Sequence, residues 1–167
     1  MSLHWIIAIL VIPILLFGEE VMDTDEGGGK FLASVHVSIG VSILALSVLR
    51  LAWRLINPPP DLPSTMAEWE KTASHAAHIL FYVLLIGLPL TGWLAFANFL
   101  PRHPGMAEVS IFGLTPVPYA PDSGKLAGNI HAVGSKIGIA LVALHVLAAL
   151  KHKYYTRDGV MRRMLPF

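Results

Sequence analysis

The chain lacks cysteine and carries little charge for its length. None of its 167 residues is cysteine and only 14% are Asp, Glu, Lys or Arg, whereas about 25% are charged in a typical soluble domain. The missing cysteine excludes disulfide bonds, thiolate-held iron–sulfur clusters and the CxxCH attachment of c-type haem. The net charge of +1, with no basic patch interleaved with aromatic residues, indicates no nucleic-acid partner.

The sequence is instead rich in hydrophobic residues, many of them in long apolar runs. Hydrophobic residues make up 54% of the chain, and the mean hydropathy is +0.63. About 20 apolar residues are needed to cross a membrane, and four runs predict such helices, over about residues 2–22, 31–56, 72–98 and 127–154. We therefore expect an all-α fold, an integral membrane four-helix bundle with one domain over residues 1–167. The first run could also be a cleavable signal peptide, but it lacks a basic n-region.

The charged residues that remain are distributed unevenly between the loops. The first loop, EEVMDTDEGGGK, holds five acidic residues and one lysine. Basic residues gather instead in the region from Arg50 to Lys71, which contributes Arg50, Arg54 and Lys71, and in the tail after Leu150. Cytoplasmic loops carry the excess of Lys and Arg. We therefore expect both termini to be cytoplasmic and the first and third loops to face outward.

Four of the eight histidines form two pairs at matching depths. His131 and His145 bracket the apolar stretch HAVGSKIGIALVALH and are 14 residues apart, which places them on one helix face, about 21 Å apart along the axis. His36, near the outer end of the second run, matches the depth of His131, and His4, at the inner end of the first run, matches His145. Ionisable groups inside a bilayer are costly and usually functional.

Two facing imidazoles suit a haem better than a zinc ion. Zinc takes four ligands, commonly with carboxylate or thiolate, and no carboxylate lies within the apolar core of any run. A haem needs two axial ligands and an apolar slot for its macrocycle. Gly40, Gly134 and Gly138 would let the macrocycle approach a helix, although such glycines are equally typical of helix packing. A histidine-lined metal or proton transporter without haem is the competing interpretation.

Four segments resemble the bacterial cytochrome b561 family. They are HW at 4–5, HVSIGVSILALSVLRLAWRL at 36–55, HAAHILFYVLLIGLPLTGWL at 75–94 and LHVLAALKHKYYTRDGVMRRMLP at 144–166. The resemblance implies a multi-pass protein of the bacterial inner (plasma) membrane with two haem b groups. It also implies axial ligation by the four residues that the spacing selects, which are His4, His36, His131 and His145.

The resemblance further implies electron transfer between membrane quinone and a partner at the outer face. In one branch of the family the donor is superoxide and the acceptor is ubiquinone, which would make the chain a superoxide:ubiquinone oxidoreductase. Related cytochromes are anchor subunits of periplasmic dehydrogenases or hydrogenases, so a periplasmic redox partner is the alternative. The outer loop, residues 99–126, holds as many acidic as Lys and Arg residues and does not discriminate between them.

Further polar residues in the spans have both a functional and a structural interpretation. Arg50 lies 14 residues after His36, level with the inner pair, and would bind a haem propionate or extend to the interface. Lys136 would bind an outer propionate, attract superoxide or extend to the headgroups. His75 and His78 share a helix face and would bind quinone and deliver protons. Alternatively, one of them is the inner axial ligand, or both are interfacial and bond to a propionate.

Overall fold

The predicted all-α bundle of four helices is confirmed by the computed structural model, which describes residues 2–18, 29–60, 62–100, 106, 108–123 and 125–163. The helices are α1 (Ser2–Phe17), α2 (Gly29–Ile56), α3 (Glu68–Phe99) and α4 (Leu126–Lys151). A π-helix, His152–Thr156, continues α4, and a 3-10 helix, Val160–Arg163, follows it.

Three of the helices are long and apolar enough to cross a membrane, namely α2, α3 and α4 with its π-helical extension. With 16 residues, α1 is shorter than the roughly 17 residues that a span requires. Its predicted extension to Met22 includes residues 19–22, which lie outside the described part of the chain.

The start of α3 that the apolar pattern predicted is four residues later than the observed start. The helix begins at Glu68 rather than near residue 72, because its first turn is built from polar residues that an apolar pattern does not detect. Glu68 and Glu70 stabilise this turn, since carboxylates interact favourably with the positive end of the helix dipole. Similarly, α2 begins two residues before the predicted 31, at Gly29.

The bundle exposes apolar side chains on its outside. Ile9, Leu49 and Leu147 are each more than 60% exposed, which is the stable arrangement when the surrounding solvent is lipid hydrocarbon. Between α1 and α2, the side chains of Ile7, Val11 and Ile43 form a buried apolar cluster. α3 packs against both α2 and α4, and α1 packs against α2 and α4.

The connection between α3 and α4 contains a small β-hairpin that the sequence did not predict. Its strands are β1 (Ser110–Ile111) and β2 (Thr115–Pro116), paired antiparallel. The turn between them contains two residues at positive φ, Phe112 at 54° and Gly113 at 69°. Strands of two residues in a proline-rich segment carry no alternating pattern, so sequence periodicity cannot reveal them.

Candidate functional site

Helices α2 and α4 bring His36 and His131 together, and we call this pair the outer cluster. The centres of the two rings are 6.1 Å apart and their planes are tilted by 58°. Nδ1 of His131 donates a hydrogen bond to the backbone carbonyl of Leu88, at 2.9 Å. This bond selects the tautomer in which Nε2 is the free ligating atom. Nδ1 of His36 is buried and has no hydrogen-bond partner in the described part of the chain.

Two glycines lie directly against the outer imidazoles. A Cβ added to Gly92 on α3 would be 2.9 Å from Cε1 of His131, and one added to Gly18 would be 3.1 Å from Cε1 of His36. Sequence reasoning did not select either glycine as a site residue. A weak signal existed for Gly18, which lies 14 residues after His4 and therefore at the depth expected for the outer pair.

The three glycines that the sequence did select have different surroundings. A Cβ on Gly134 would be 2.8 Å from a methyl carbon of Leu88, and one on Gly138 would be 3.3 Å from a methyl carbon of Leu15. These two glycines therefore allow close helix packing. Gly40, one turn after His36, faces open space: apart from the local backbone of its own helix, no atom of the described residues lies within 4 Å of an added Cβ. It leaves room for a flat group beside His36.

Three imidazoles meet at the other end of the bundle, and we call His4, His78 and His145 the inner cluster. The ring centre of His145 is 6.2 Å from that of His4 and 6.2 Å from that of His78. Nδ1 of His78 donates to the carbonyl of Ser74 at 2.7 Å, which leaves its Nε2 free. The ring distances therefore do not distinguish His4 from His78 as the partner of His145. Phe81 packs its ring edge-on against His145, with 5.2 Å between centres.

Arg50 lies near the inner cluster, in a partly buried position. The carbon at the centre of its guanidinium group is 6.0 Å from the ring centre of Tyr82. The Tyr82 hydroxyl and the Ser47 hydroxyl are both buried and have no hydrogen-bond partner among the described residues. Arg50 lies beside the ring of Tyr82 and one turn after Ser47 on α2. Guanidinium and hydroxyl groups can each donate a hydrogen bond to a carboxylate, so this environment suits one.

The other two predicted site residues lie on the outside of their helices. His75 is exposed on α3, and its Nδ1 donates to the carbonyl of Lys71 at 2.8 Å. Its ring does not take part in the ring contacts that link His78 to His145. Lys136 is exposed on α4. The structure therefore brings His78 and Arg50, but not His75 and Lys136, to the interior of the bundle.

Both histidine clusters have the spacing of two imidazoles on opposite sides of one metal ion. A bond from a metal to an imidazole nitrogen is about 2.0–2.1 Å long, so two such ligands place their ring centres about 6 Å apart. The distances of 6.1 Å and 6.2 Å agree with this value. Within the described ranges, no group of three or more His, Asp or Glu residues is arranged to hold a metal ion. The donor sets thus fit haem iron, which takes its other four ligands from the porphyrin.

Comparison with known proteins defines the class to which this fold and these histidines belong. The chain belongs to the prokaryotic cytochrome b561 family, whose model matches residues 1–167. Cytochrome b561 homolog 2 of Escherichia coli K12 is 29% identical over 171 residues, which cover 98% of this chain and 87% of that protein. The probable superoxide oxidase CybB of Yersinia pestis is 27% identical, with 99% and 92% covered. Cytochrome b562 of Cereibacter sphaeroides is 25% identical, with 98% and 90% covered.

Membership of this family confirms several expectations from the sequence. The chain is a haem b-binding, multi-pass protein of the bacterial inner membrane, and it takes part in membrane electron transfer. Membership of the family does not establish the number of haem groups, their ligands, the quinone or the redox partner. These stay predictions.

Proposed function

We propose that the chain carries two haem b groups and relays single electrons between the two faces of the membrane. One group would be held by His36 and His131, and the other by His145 and His4. The observation that carries the proposal is the spacing of the rings, 6.1 Å in the outer cluster and 6.2 Å in the inner one. When bound, each haem would be held by the two imidazoles of its pair and would supply one-electron redox chemistry.

The residues around the outer cluster would hold its ligands in one orientation. The carbonyl of Leu88 fixes the tautomer of His131 through a 2.9 Å hydrogen bond and makes its Nε2 more basic. Gly92 and Gly18 leave space for the edges of the two imidazoles. Gly40 opens the face of α2 next to His36, so that the macrocycle can lie against the helix backbone.

The residues around the inner cluster would bind a haem carboxylate. Arg50, with the unpaired hydroxyls of Tyr82 and Ser47, offers donors to a propionate. We assign the axial role to His4 rather than His78, because His4 shares the depth of His145 in the sequence pattern. His78 would then contribute its free Nε2 as a hydrogen-bonding group beside the haem.

The distribution of charge supports cytoplasmic termini. The region from Arg50 to Lys71, which includes the end of α2 and the first turn of α3, carries Arg50, Arg54 and Lys71. The chain after α4 is also basic and the loop before α2 is acidic, which agrees with the positive-inside rule. The outer cluster would then face the periplasm. Reporter fusions after Phe167 and within the loop between α1 and α2 would test this orientation, and a periplasmic signal from the C-terminal fusion would contradict it.

We further propose superoxide as the electron donor at the outer cluster and ubiquinone as the acceptor at the inner one. The support is the relationship to a protein named as a probable superoxide oxidase. His75 is exposed at the same end of α3 as the inner cluster, and its Nδ1 donates to the carbonyl of Lys71. Its Nε2 would therefore accept a hydrogen bond from a quinol hydroxyl when the imidazole is neutral, and would donate to a quinone carbonyl when the imidazole is protonated.

Stopped-flow spectroscopy of the purified protein tests the enzyme proposal. After mixing with superoxide, the haem absorbance should show that the haem groups become reduced. Added soluble ubiquinone should then reoxidise them. His75→Gln should slow only the second phase. If superoxide leaves the haem groups oxidised, and a large periplasmic subunit co-purifies from native membranes, the chain is an anchor subunit instead.

A further inference from the structure

The hairpin β1–β2 lies along the first three turns of α2. At the beginning of the helix, Lys30 forms an ion pair with Glu108. One turn later, the backbone N–H of Ser110 donates to the hydroxyl of Ser34, at 3.1 Å. After another turn, the N–H of Phe112 donates to the hydroxyl of Ser38, at 2.8 Å. The hairpin therefore runs beside the helix, with its tip directed toward the middle of the membrane.

The length of α2 gives the depth of the hairpin tip. The helix has 28 residues and is therefore about 42 Å long, whereas the hydrocarbon core is about 30 Å thick. A centred helix would extend about 6 Å beyond the core at each end. Ser38 lies nine residues after Gly29, about 14 Å along the axis. The bond between Ser38 and Phe112 thus lies about 8 Å inside the hydrocarbon core.

Non-helical backbone is stable at such a depth only when the protein satisfies its polar groups. Ser34 and Ser38 provide hydrogen-bond partners for two N–H groups of the hairpin, and both do so in the same way. Each hydroxyl donates to the carbonyl four residues earlier, at 2.9 Å and 2.6 Å, and accepts one N–H from the hairpin. Ser38 itself is buried, at 9% exposure, so its two hydrogen bonds lie in a largely enclosed environment.

The tip of the hairpin carries apolar side chains that point away from the protein. Phe112 is 58% exposed and Leu114 is 83% exposed. A groove of about 760 Å³ lies beside the tip, between the hairpin, α2 and Leu10 of α1. Its walls include Phe31 and Ile39, and the Lys30–Glu108 ion pair also lines it. The groove is also lined by serines of α2, whose hydroxyls are bonded to carbonyls of the same helix. Aliphatic and aromatic walls with charges where the helix begins match the chemistry of a phospholipid, whose acyl chains lie below a charged headgroup.

We propose that the hairpin Ser110–Pro116 is a re-entrant element whose tip inserts into one lipid leaflet. Phe112 and Leu114 contact phospholipid acyl chains, one of which lies in the groove beside Leu10. Ser34 and Ser38 hold the hairpin in place by accepting the backbone N–H groups of Ser110 and Phe112. This membrane contact is independent of the number of haem groups and of the orientation of the chain.

The absence of native cysteine makes single-site spin labelling a direct test. The haem-loaded full chain, in nanodiscs of phosphatidylethanolamine and phosphatidylglycerol, would carry one nitroxide at Leu114→Cys. References would be Val83→Cys, 58% exposed in the middle of α3, and Pro59→Cys, exposed in the loop after α2. Collision of the label with oxygen reports hydrocarbon, and collision with a water-soluble nickel chelate reports water.

We expect the ratio of oxygen to nickel collisions at position 114 to resemble that at position 83 and to exceed that at position 59 several-fold. A ratio equal to that at position 59 would place the tip in water and overturn the proposal. Haem content and the Soret spectrum of each labelled protein show that it has folded.

The serine contacts are tested in the same labelled protein. Ser38→Ala removes the acceptor of the Phe112 N–H, so we expect nickel collisions at position 114 to increase several-fold. Ser42→Ala is the matched control, because the Ser42 hydroxyl makes the same bond to the carbonyl four residues earlier, at 2.8 Å, without a bond from the hairpin. Ser38→Thr, which retains the hydroxyl, should restore the original ratio. Equal nickel collisions in Ser38→Ala and Ser42→Ala would contradict the role of Ser38.

Discussion

The outer and inner clusters differ in what surrounds their imidazoles. The outer cluster has two histidines whose ring edges meet glycines and, for His131, a backbone carbonyl. The inner cluster has three histidines, with Phe81 against one of them and Arg50 beside Tyr82 close by.

This difference indicates that the protein fixes the two clusters by different physical means. Steric contact determines the outer orientation, because any side chain at Gly92 would collide with the imidazole of His131. The inner cluster is instead rich in groups that carry or donate protons, and it contains one more imidazole than two axial ligands require. We therefore expect changes at the outer cluster to act through geometry and changes at the inner cluster to act through charge.

The largest effect is expected for His131→Ala. Removal of one of the two imidazoles that form the outer cluster should abolish binding of the outer haem and leave the inner haem in place. The haem content per chain would fall by one haem group, and the reduced-minus-oxidised spectrum would lose the contribution of the outer haem. Retention of both haem groups would show that His36 and His131 do not form a ligand pair.

Substitutions at His4 and His78 address the extra imidazole of the inner cluster. Because we assign the axial role to His4, His4→Ala should remove the low-spin spectrum of the inner haem, whereas His78→Ala should retain two low-spin haem groups. The electron paramagnetic resonance spectrum of the oxidised protein distinguishes these outcomes. The opposite pattern would assign the axial role to His78.

Gly92→Ala tests the steric argument at the outer cluster. Its new methyl group would be 2.9 Å from Cε1 of His131, so the imidazole has to move or turn. We expect a shifted low-spin signal of the outer haem and an unchanged inner signal.

Gly87→Ala is the matched control on the same helix, because an added Cβ there has no neighbour within 4 Å among the described residues, apart from the local backbone of α3. Replacing glycine by alanine inside a helix stabilises it by about 0.5–1 kcal/mol, so this control should unfold at the same or a higher temperature. Identical resonance spectra for the two variants would mean that Gly92 does not position the imidazole.

The sequence predicted the elements that depend on local periodicity. The 14-residue spacing between His131 and His145 places both on one helix face, and it anticipated the meeting of His36 with His131 and of His4 with His145. It could not predict that His78 comes equally close to His145, because that distance depends on how α3 packs against α4. The contacts of Gly18 and Gly92 and the docking of the hairpin on Ser34 and Ser38 likewise depend on tertiary packing.

The smallest effect is expected for Arg50→Gln, which tests the charge argument at the inner cluster. A nearby cation disfavours the more positive, oxidised haem, so its loss should lower the midpoint potential of the inner haem. We expect a decrease of roughly 30–60 mV, since 59 mV corresponds to a tenfold change for one electron. Lys136→Gln, exposed on α4, should leave the inner potential unchanged in the same titration. An equal shift in both variants would contradict a specific role for Arg50.

The number of haem groups per chain tests the central claim most directly. The purified protein would be quantified by amino-acid analysis, and its haem by the absorbance of the pyridine complex. Two imidazole pairs with ring centres 6.1 Å and 6.2 Å apart predict two haem b groups per chain. A value of one would leave one cluster without its proposed cofactor and would contradict a relay between the two faces of the membrane.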